Sequence, residues 1–423
     1  MVVVQILASV TLVLIPAYVI RCRFFYFCDQ ISPIPLTLLE VSMLGTIIVW
    51  FVWRIYLLKK RKISIFEPFQ GLSRPFILTS GLFLMAGLIS IFVSADIRAA
   101  AGIFKAYFAE PAAFGLVVFD LSKSKKSLNW LILPFVLSGV WVSIFAVYQY
   151  FTGQLVPTHE VVRERISSIY TTSNAIGLYL GPLLFFSLGL IWAAAKNRGS
   201  AKKVQIYLIL SSILFGVAII LSGSRGAILA SIVGFIFFIS YTFYLRVGSR
   251  MRAHLNKIFL FLVAVFVLIN LIFVSKIASN PGHFFDQPYF NTINSRFCLW
   301  QKSSQILAKN PVFGTGLSSF RQVSQNHPVC KTDLAIYPHN IFLNFWSETG
   351  VLGLGSFLVL IFILWSKLNK SGNFIAAGIL AAVIYIFIHG TVDVPYFKND
   401  LSSEFWVIVA ISAWINQSRD PDL

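Results

Sequence analysis

Charge is scarce in this 423-residue chain: only 12% of it is Asp, Glu, Lys or Arg, where soluble domains carry about a quarter. Acidic residues are the scarcest, 16 against 34 basic ones, and four cysteines are too few for a disulfide scaffold. With 57% of the chain hydrophobic, a soluble globular domain is excluded and an integral membrane protein indicated.

A membrane helix needs about 20 mostly apolar residues. Twelve such stretches are expected, near 2–20, 36–58, 76–94, 103–121, 128–150, 174–194, 204–222, 226–245, 258–275, 340–366, 373–391 and 401–416. The first has no basic residues before it and no small-residue cleavage site after it, so it is expected to be a retained helix rather than a signal peptide.

Lys and Arg in short loops stay in the cytoplasm. With the amino terminus inside, most of the basic residues fall on the inner side, among them Arg54, Lys59 to Lys62, Lys123, Lys202, Arg246 and Lys367. Nearly all of the formal +18 therefore reports topology, and no nucleic-acid partner is expected. Arg21 and Arg23 run against the rule on the outer side.

The same topology puts all four cysteines outside, where a Cys298–Cys330 bridge and two separate free thiols both remain open. It also leaves one long outer segment, 276–338, with helical spacing at its centre, "NSRFCLWQKSSQILAKNP". Gly314-Thr315-Gly316 after it reads as a tight turn rather than a phosphate cradle. Gly226, Ala230 and Gly234 recur every fourth residue after the hairpin "SGSRGA", a small-residue face that lets another helix pack closely. No internal repeat is evident, and the chain reads as one membrane domain, 1–423.

Ionisable side chains at membrane depth are costly and point to function. Glu40, Lys105, Glu110, Arg225, His339, Glu348, His389 and Asp393 are the candidates, most of them in the outer half. Arg225 and Arg296, helped by Lys105, Arg163 or Arg165, are the cations best placed to face a common outer cavity. Their planar forks suit phosphate oxygens, whether of a lipid pyrophosphate or of phospholipid headgroups.

Fixed arginines rather than a metal are expected to hold a diphosphate. His339 reads either as an interfacial residue beside a capping Asn340 or as an acceptor for the proton of an attacking hydroxyl. Asn340, Asn344 and Glu348 fall on one helical stripe, which suggests a wet cavity beneath it. His389 and Asp393, four apart, are expected to pair on one helix face as a clamp on the outer rim.

Four stretches, "RERISSIYTTSNAIGLYLGP", "SGSRGAIL", "SRFCLWQKSSQILAKNPVFGTGLSSF" and "PHNIFLNFWSETGVLGL", are together similar to the O-antigen ligase and O-antigen polymerase family of bacterial envelope glycosyltransferases. The resemblance implies an all-helical, polytopic, GT-C-like protein of the bacterial inner membrane with the active site on the outer face; twelve spans with the amino terminus inside put both termini in the cytoplasm. It further implies a metal-independent, cofactor-free, inverting transfer from an undecaprenyl-pyrophosphate-linked glycan to a hydroxyl of a glycan, lipid or protein acceptor. Carried over by motif, Arg225 and Arg296 would bind the pyrophosphate, and His339 would orient or deprotonate the acceptor. Arg163, Arg165, Lys105, Asn340, Asn344 and Glu348 would contact substrate.

Ligation of a finished glycan and polymerisation of repeat units both fit this pattern. From a different class, a lipid or envelope-glycan transporter is the alternative.

Overall fold

The computed structural model describes residues 1–20, 36–60, 63–64, 66–123, 125–161, 165–196, 202–246, 292–325 and 336–415. Its elements are helices throughout: α1 (Val2–Val13), α2 (Leu38–Lys59), α3 (Arg74–Val93), α4 (Ile97–Phe104), α5 (Glu110–Ser122), α6 (Lys125–Thr152), α7 (Thr158–Val161) and α8 (Asn174–Lys196). After these come α9 (Lys202–Leu221), α10 (Arg225–Arg246), α11 (Thr292–Lys309), α12 (Phe320–Gln325), α13 (Ile341–Ser371), α14 (Phe374–Gly390) and α15 (Asn399–Ile415).

Eight of these helical stretches are long and apolar enough to cross a membrane, α4 and α5 counting as one bent stretch, and α1 and α14 are shorter apolar helices. Each expected span but one coincides with a helix; the exception, 258–275, lies outside the described residues.

Helices α4 and α5 are joined by a π turn, Lys105–Ala109, with Pro111 two residues beyond it. Proline has no N–H, and its ring crowds the carbonyl four residues back. That carbonyl, on Tyr107, is taken instead by the hydroxyl of Tyr396 at 2.8 Å.

At the centre stand α8, α14 and α15, with 83% of the apolar window of α8 buried inside the protein. Gly189 on α8 meets Gly378 on α14, where a Cβ on either would press into the other's backbone, and Tyr385 Oη donates to the Gly177 carbonyl at 2.8 Å. The small-residue face of α10 is used as expected: Gly226 lies against His389 and Val392, and Gly234 against the ring of Phe185.

At the end that carries Lys123 and Lys367, Arg54 is buried against Asp120, and the Trp50 indole donates to the same carboxylate at 2.9 Å. Every charge in this cluster has a partner, which makes it a clamp between α2 and α5 rather than an open site.

Candidate functional site

The opposite end of the bundle is organised around Asp393. Helix α14 stops at Gly390, and the backbone N–H of Asp393 returns to the His389 carbonyl at 3.0 Å. Asp393 lies in the loop beyond the helix end, and the expected pairing with His389 does not form; His389 Nδ1 has no hydrogen-bond partner among the described residues.

Asp393, 2% exposed, instead collects groups from three other parts of the chain. Asn174 Nδ2, at the start of α8, donates to Oδ2 at 3.0 Å; His339 Nδ1 lies 3.3 Å from Oδ1 and Arg296 Nη2 3.8 Å from Oδ2. Burial opposes charge on this carboxyl. The hydrogen bond to His339 and the nearby His339, His389 and Arg296 outweigh it and hold the group below the usual carboxylate range. Burial also pulls Arg296 below its ordinary value, and Asp393 works against that shift.

Asn174 passes the connection on. Its Oδ1 accepts from Arg165 Nη2 at 2.9 Å, while Arg165 Nε donates to the Ser222 carbonyl at 3.0 Å. Ser222 opens the hairpin between α9 and α10, where Gly223 turns with φ +62°. Ser224 then starts α10, its carbonyl accepting from Ile228 N at 2.9 Å.

Arg225 follows at the first position of α10, exposed and with no hydrogen bond or ion pair to a described residue. A free guanidinium beside unpaired N–H groups at a helix N-terminus is an anion-binding arrangement.

His339 adopts φ +52°, a left-handed conformation uncommon outside glycine, and its ring is packed edge-on to Tyr337 at 4.9 Å. Asn340 caps α13, its Oδ1 accepting from Phe342 N and Leu343 N at 3.0 and 3.1 Å. Its Nδ2 reaches the Thr391 carbonyl at 3.1 Å, which ties the His339 turn to the loop bearing Asp393. With Nδ1 facing a carboxylate, the favoured neutral imidazole carries its proton there and keeps the Nε2 lone pair free. The His339 side chain is 32% exposed, against 3% for that of Asp393, so the ring can be reached while its partner cannot.

Other expected site residues are used differently. Glu348 is buried, and its Oε2 accepts from the backbone N–H of Ser318 at 2.6 Å. The stripe below His339 therefore meets protein backbone at Glu348 rather than the expected wet cavity; Asn344 is equally buried, with Oδ1 lacking a hydrogen-bond partner among the described residues.

The loop that Glu348 holds crosses a break in α13. Gly350 has φ +67°, Val351 N donates to the Val312 carbonyl at 2.9 Å, and Thr315 N donates to the Ser347 carbonyl at 2.7 Å. The tight turn expected at Gly314-Thr315-Gly316 is present, both glycines at positive φ and pressed against backbone.

Lys105 pairs with Glu40 at 2.9 Å and lies 3.7 Å from Glu110, not with Asp393 or the arginines. Arg163 lies outside the described residues. Cys298, two residues beyond Arg296, is disulfide-bonded; the other cysteines, Cys22, Cys28 and Cys330, all lie outside the described residues.

Asp393 as the hub, and Asn174 as the link from it to Arg165, are what sequence reasoning missed. The signal available was a buried-looking Asp one residue before Val394-Pro395, just after an apolar helix; its partners lie up to 219 residues away in sequence.

Residues 210–358 match the family described as O-antigen ligase. No curated protein matches the chain.

Proposed function

We propose that this multi-pass membrane protein, whose residues 210–358 fit the O-antigen ligase family, is an enzyme that moves a glycan from a polyprenyl-pyrophosphate carrier onto an acceptor hydroxyl. The observation that carries the reading is the convergence of His339, Arg296, Asn174 and, through Asn174, Arg165 on one buried Asp393, beside the unpaired Arg225.

In the proposed reaction, His339 Nε2 accepts the proton of the acceptor hydroxyl. The acceptor oxygen forms a bond to the anomeric carbon as the bond from that carbon to the diphosphate oxygen breaks, on the opposite face and with inversion. Asp393 stabilises the imidazolium that forms and fixes its tautomer. Arg225 takes the charge developing on the leaving diphosphate, with Arg165 and Arg296 beside it. Among the described residues no three His, Cys, Asp or Glu side chains stand together as metal ligands, and these fixed guanidiniums supply the positive charge in this scheme.

The orientation that fits places this end on the outer face. The Lys- and Arg-rich end then lies in the cytoplasm, and the disulfide at Cys298 falls in an oxidising compartment. Asn344 and Glu348 act in this scheme by holding the fold beneath His339 rather than by touching substrate.

The test is purified protein with a labelled polyprenyl-pyrophosphate glycan and an acceptor. The expected result is release of polyprenyl pyrophosphate and a new glycosidic bond. Folded His339→Ala and Arg225→Ala variants that kept full turnover would overturn the site assignment, and movement of lipid-linked glycan across proteoliposomes without any bond being made would favour a transporter.

A further inference from the structure

Three residues of the proposed site enter from three separate helix ends: Asn174 at the start of α8, Arg225 at the start of α10 and Asp393 just past the end of α14. A hydrogen bond ties Asn174 to Asp393, and Arg165 holds the hairpin at the Ser222 carbonyl, three residues before Arg225. Where the first turn of α10 stands relative to Asp393 is left to packing.

The three ends pack on the imidazole of His389. This residue, 1% exposed, is the last but one of α14, and its carbonyl accepts from Asp393 N at 3.0 Å. A Cβ built on Gly226, the residue after Arg225, would lie 3.1 Å from His389 Cδ2 and 3.4 Å from Nε2. One built on Gly177, three residues after Asn174, would lie 3.4 Å from Cε1. The ring is therefore wedged between the first turns of α8 and α10, on the helix whose end sets Asp393. Tyr385, one turn earlier, lies edge-on to it at 5.5 Å and donates to the Gly177 carbonyl at 2.8 Å, which backs the ring from below.

His389 Nδ1 makes no hydrogen bond to a described residue, so the ring is held there by its shape. Close-packed interiors transmit displacement rather than absorb it, and a change in this ring moves the helix ends on either side. Transfer is sensitive to such a shift, since misplacing reacting groups by about 1 Å can cost about 10²-fold in rate.

We propose that His389 is a positioning residue: its ring sets the separation between Arg225, which takes the diphosphate, and the His339–Asp393 pair, which takes the proton. This rests on the transfer reading above and adds to it a residue that touches no substrate.

The experiment measures kcat and donor KM with a labelled polyprenyl-pyrophosphate glycan, using the full-length protein in nanodiscs. Hydrogen exchange across 222–230 and 391–397 is followed separately, with no substrate present. His389→Ala is expected to lower kcat about 10- to 100-fold while donor KM changes less than about threefold. It should also speed exchange in those two segments more than in the other helices. His389→Phe keeps a flat ring in the slot and is expected to hold kcat within about threefold of wild type. Gly226→Ala crowds the same ring from α10 and should lower kcat selectively as well. Combined with His389→Ala, whose gap it fills, it should cost less than the product of the two single losses.

Wild-type kcat in His389→Ala, equal losses in His389→Phe and His389→Ala, or independent losses in the double variant would each overturn the proposal. Where His389→Ala does not fold, Gly226→Ala reads the same contact from the far side, and full kcat there would overturn it too. The two readings separate cleanly. Faster exchange in both segments of His389→Ala, with no glycan transfer by wild type, would sink the transfer reading and keep the spacer. Transfer by wild type with unchanged exchange in His389→Ala would sink the spacer alone.

Discussion

At the scale of single residues, Asp393 gives the sharpest expectations. Asp393→Asn keeps the shape but offers His339 either a donor or a weaker acceptor, so control of the imidazole tautomer is lost. Transfer should fall by about 10²- to 10⁴-fold, with less change in donor binding than Arg225→Ala causes. Steady-state rates and donor affinity measured side by side would check this.

The same residue predicts a pH effect on stability. Its carboxyl is held below the unfolded value of about 3.9, so its contribution is complete above that pH and is lost as pH falls through the lower folded value. Thermal unfolding of wild type in detergent should therefore lose more stability below about pH 4 than Asp393→Asn does.

At the scale of elements, the break in α13 and the loop lodged in it form one device. Gly350 has φ +67°, and a Cβ there would strike the Val312 carbonyl. Gly350→Ala should cost about 2–3 kcal/mol in thermal unfolding and disturb α11, the helix that carries Arg296, because the displaced loop leads directly from it. Glu348→Ala leaves the Ser318 N–H unmatched in a buried place and should cost about 1–3 kcal/mol. Glu348→Gln keeps an acceptor oxygen and should cost less, and the comparison of the two is the check.

Helix positions were legible from the sequence because a lipid core forces about 20 consecutive apolar residues wherever the chain crosses it. The α10 stripe was legible because Gly226, Ala230 and Gly234 state their closeness in their size. The role of Glu348 was not: its partner is a backbone N–H on Ser318, and backbone groups carry no residue identity to read. Nor was the pairing of Asp393 with Asn174, His339 and Arg296 rather than with His389, since α14 ends before Asp393 is reached.

For the whole molecule, the charge asymmetry of the two ends predicts sidedness. A cysteine placed at Leu155 should react with an impermeant maleimide in intact cells, and one placed at Lys370 should react only after permeabilisation. The opposite pattern would invert the proposed orientation and remove the site from the outer face. His339, Arg225 and Arg296 were singled out from sequence because each stands in a compact local stretch. Their assembly was invisible there because Asp393, to which His339 and Arg296 are joined, reaches Asn174 across 219 residues.

That separation also bears on how the protein is made. Helix α8 leaves the ribosome early, yet its most extensive contacts are with α14, near the end of the chain. During synthesis α8 must wait in the bilayer with Gly181 and Gly189, which α14 later covers, exposed, held provisionally by α9 and α10. The centre that needs Asn174 and Asp393 together closes only when the last helices arrive. On the proposed assignment, a chain interrupted after α13 holds His339 and all three arginines but lacks Asp393, and it is expected to be inactive until translation is nearly finished.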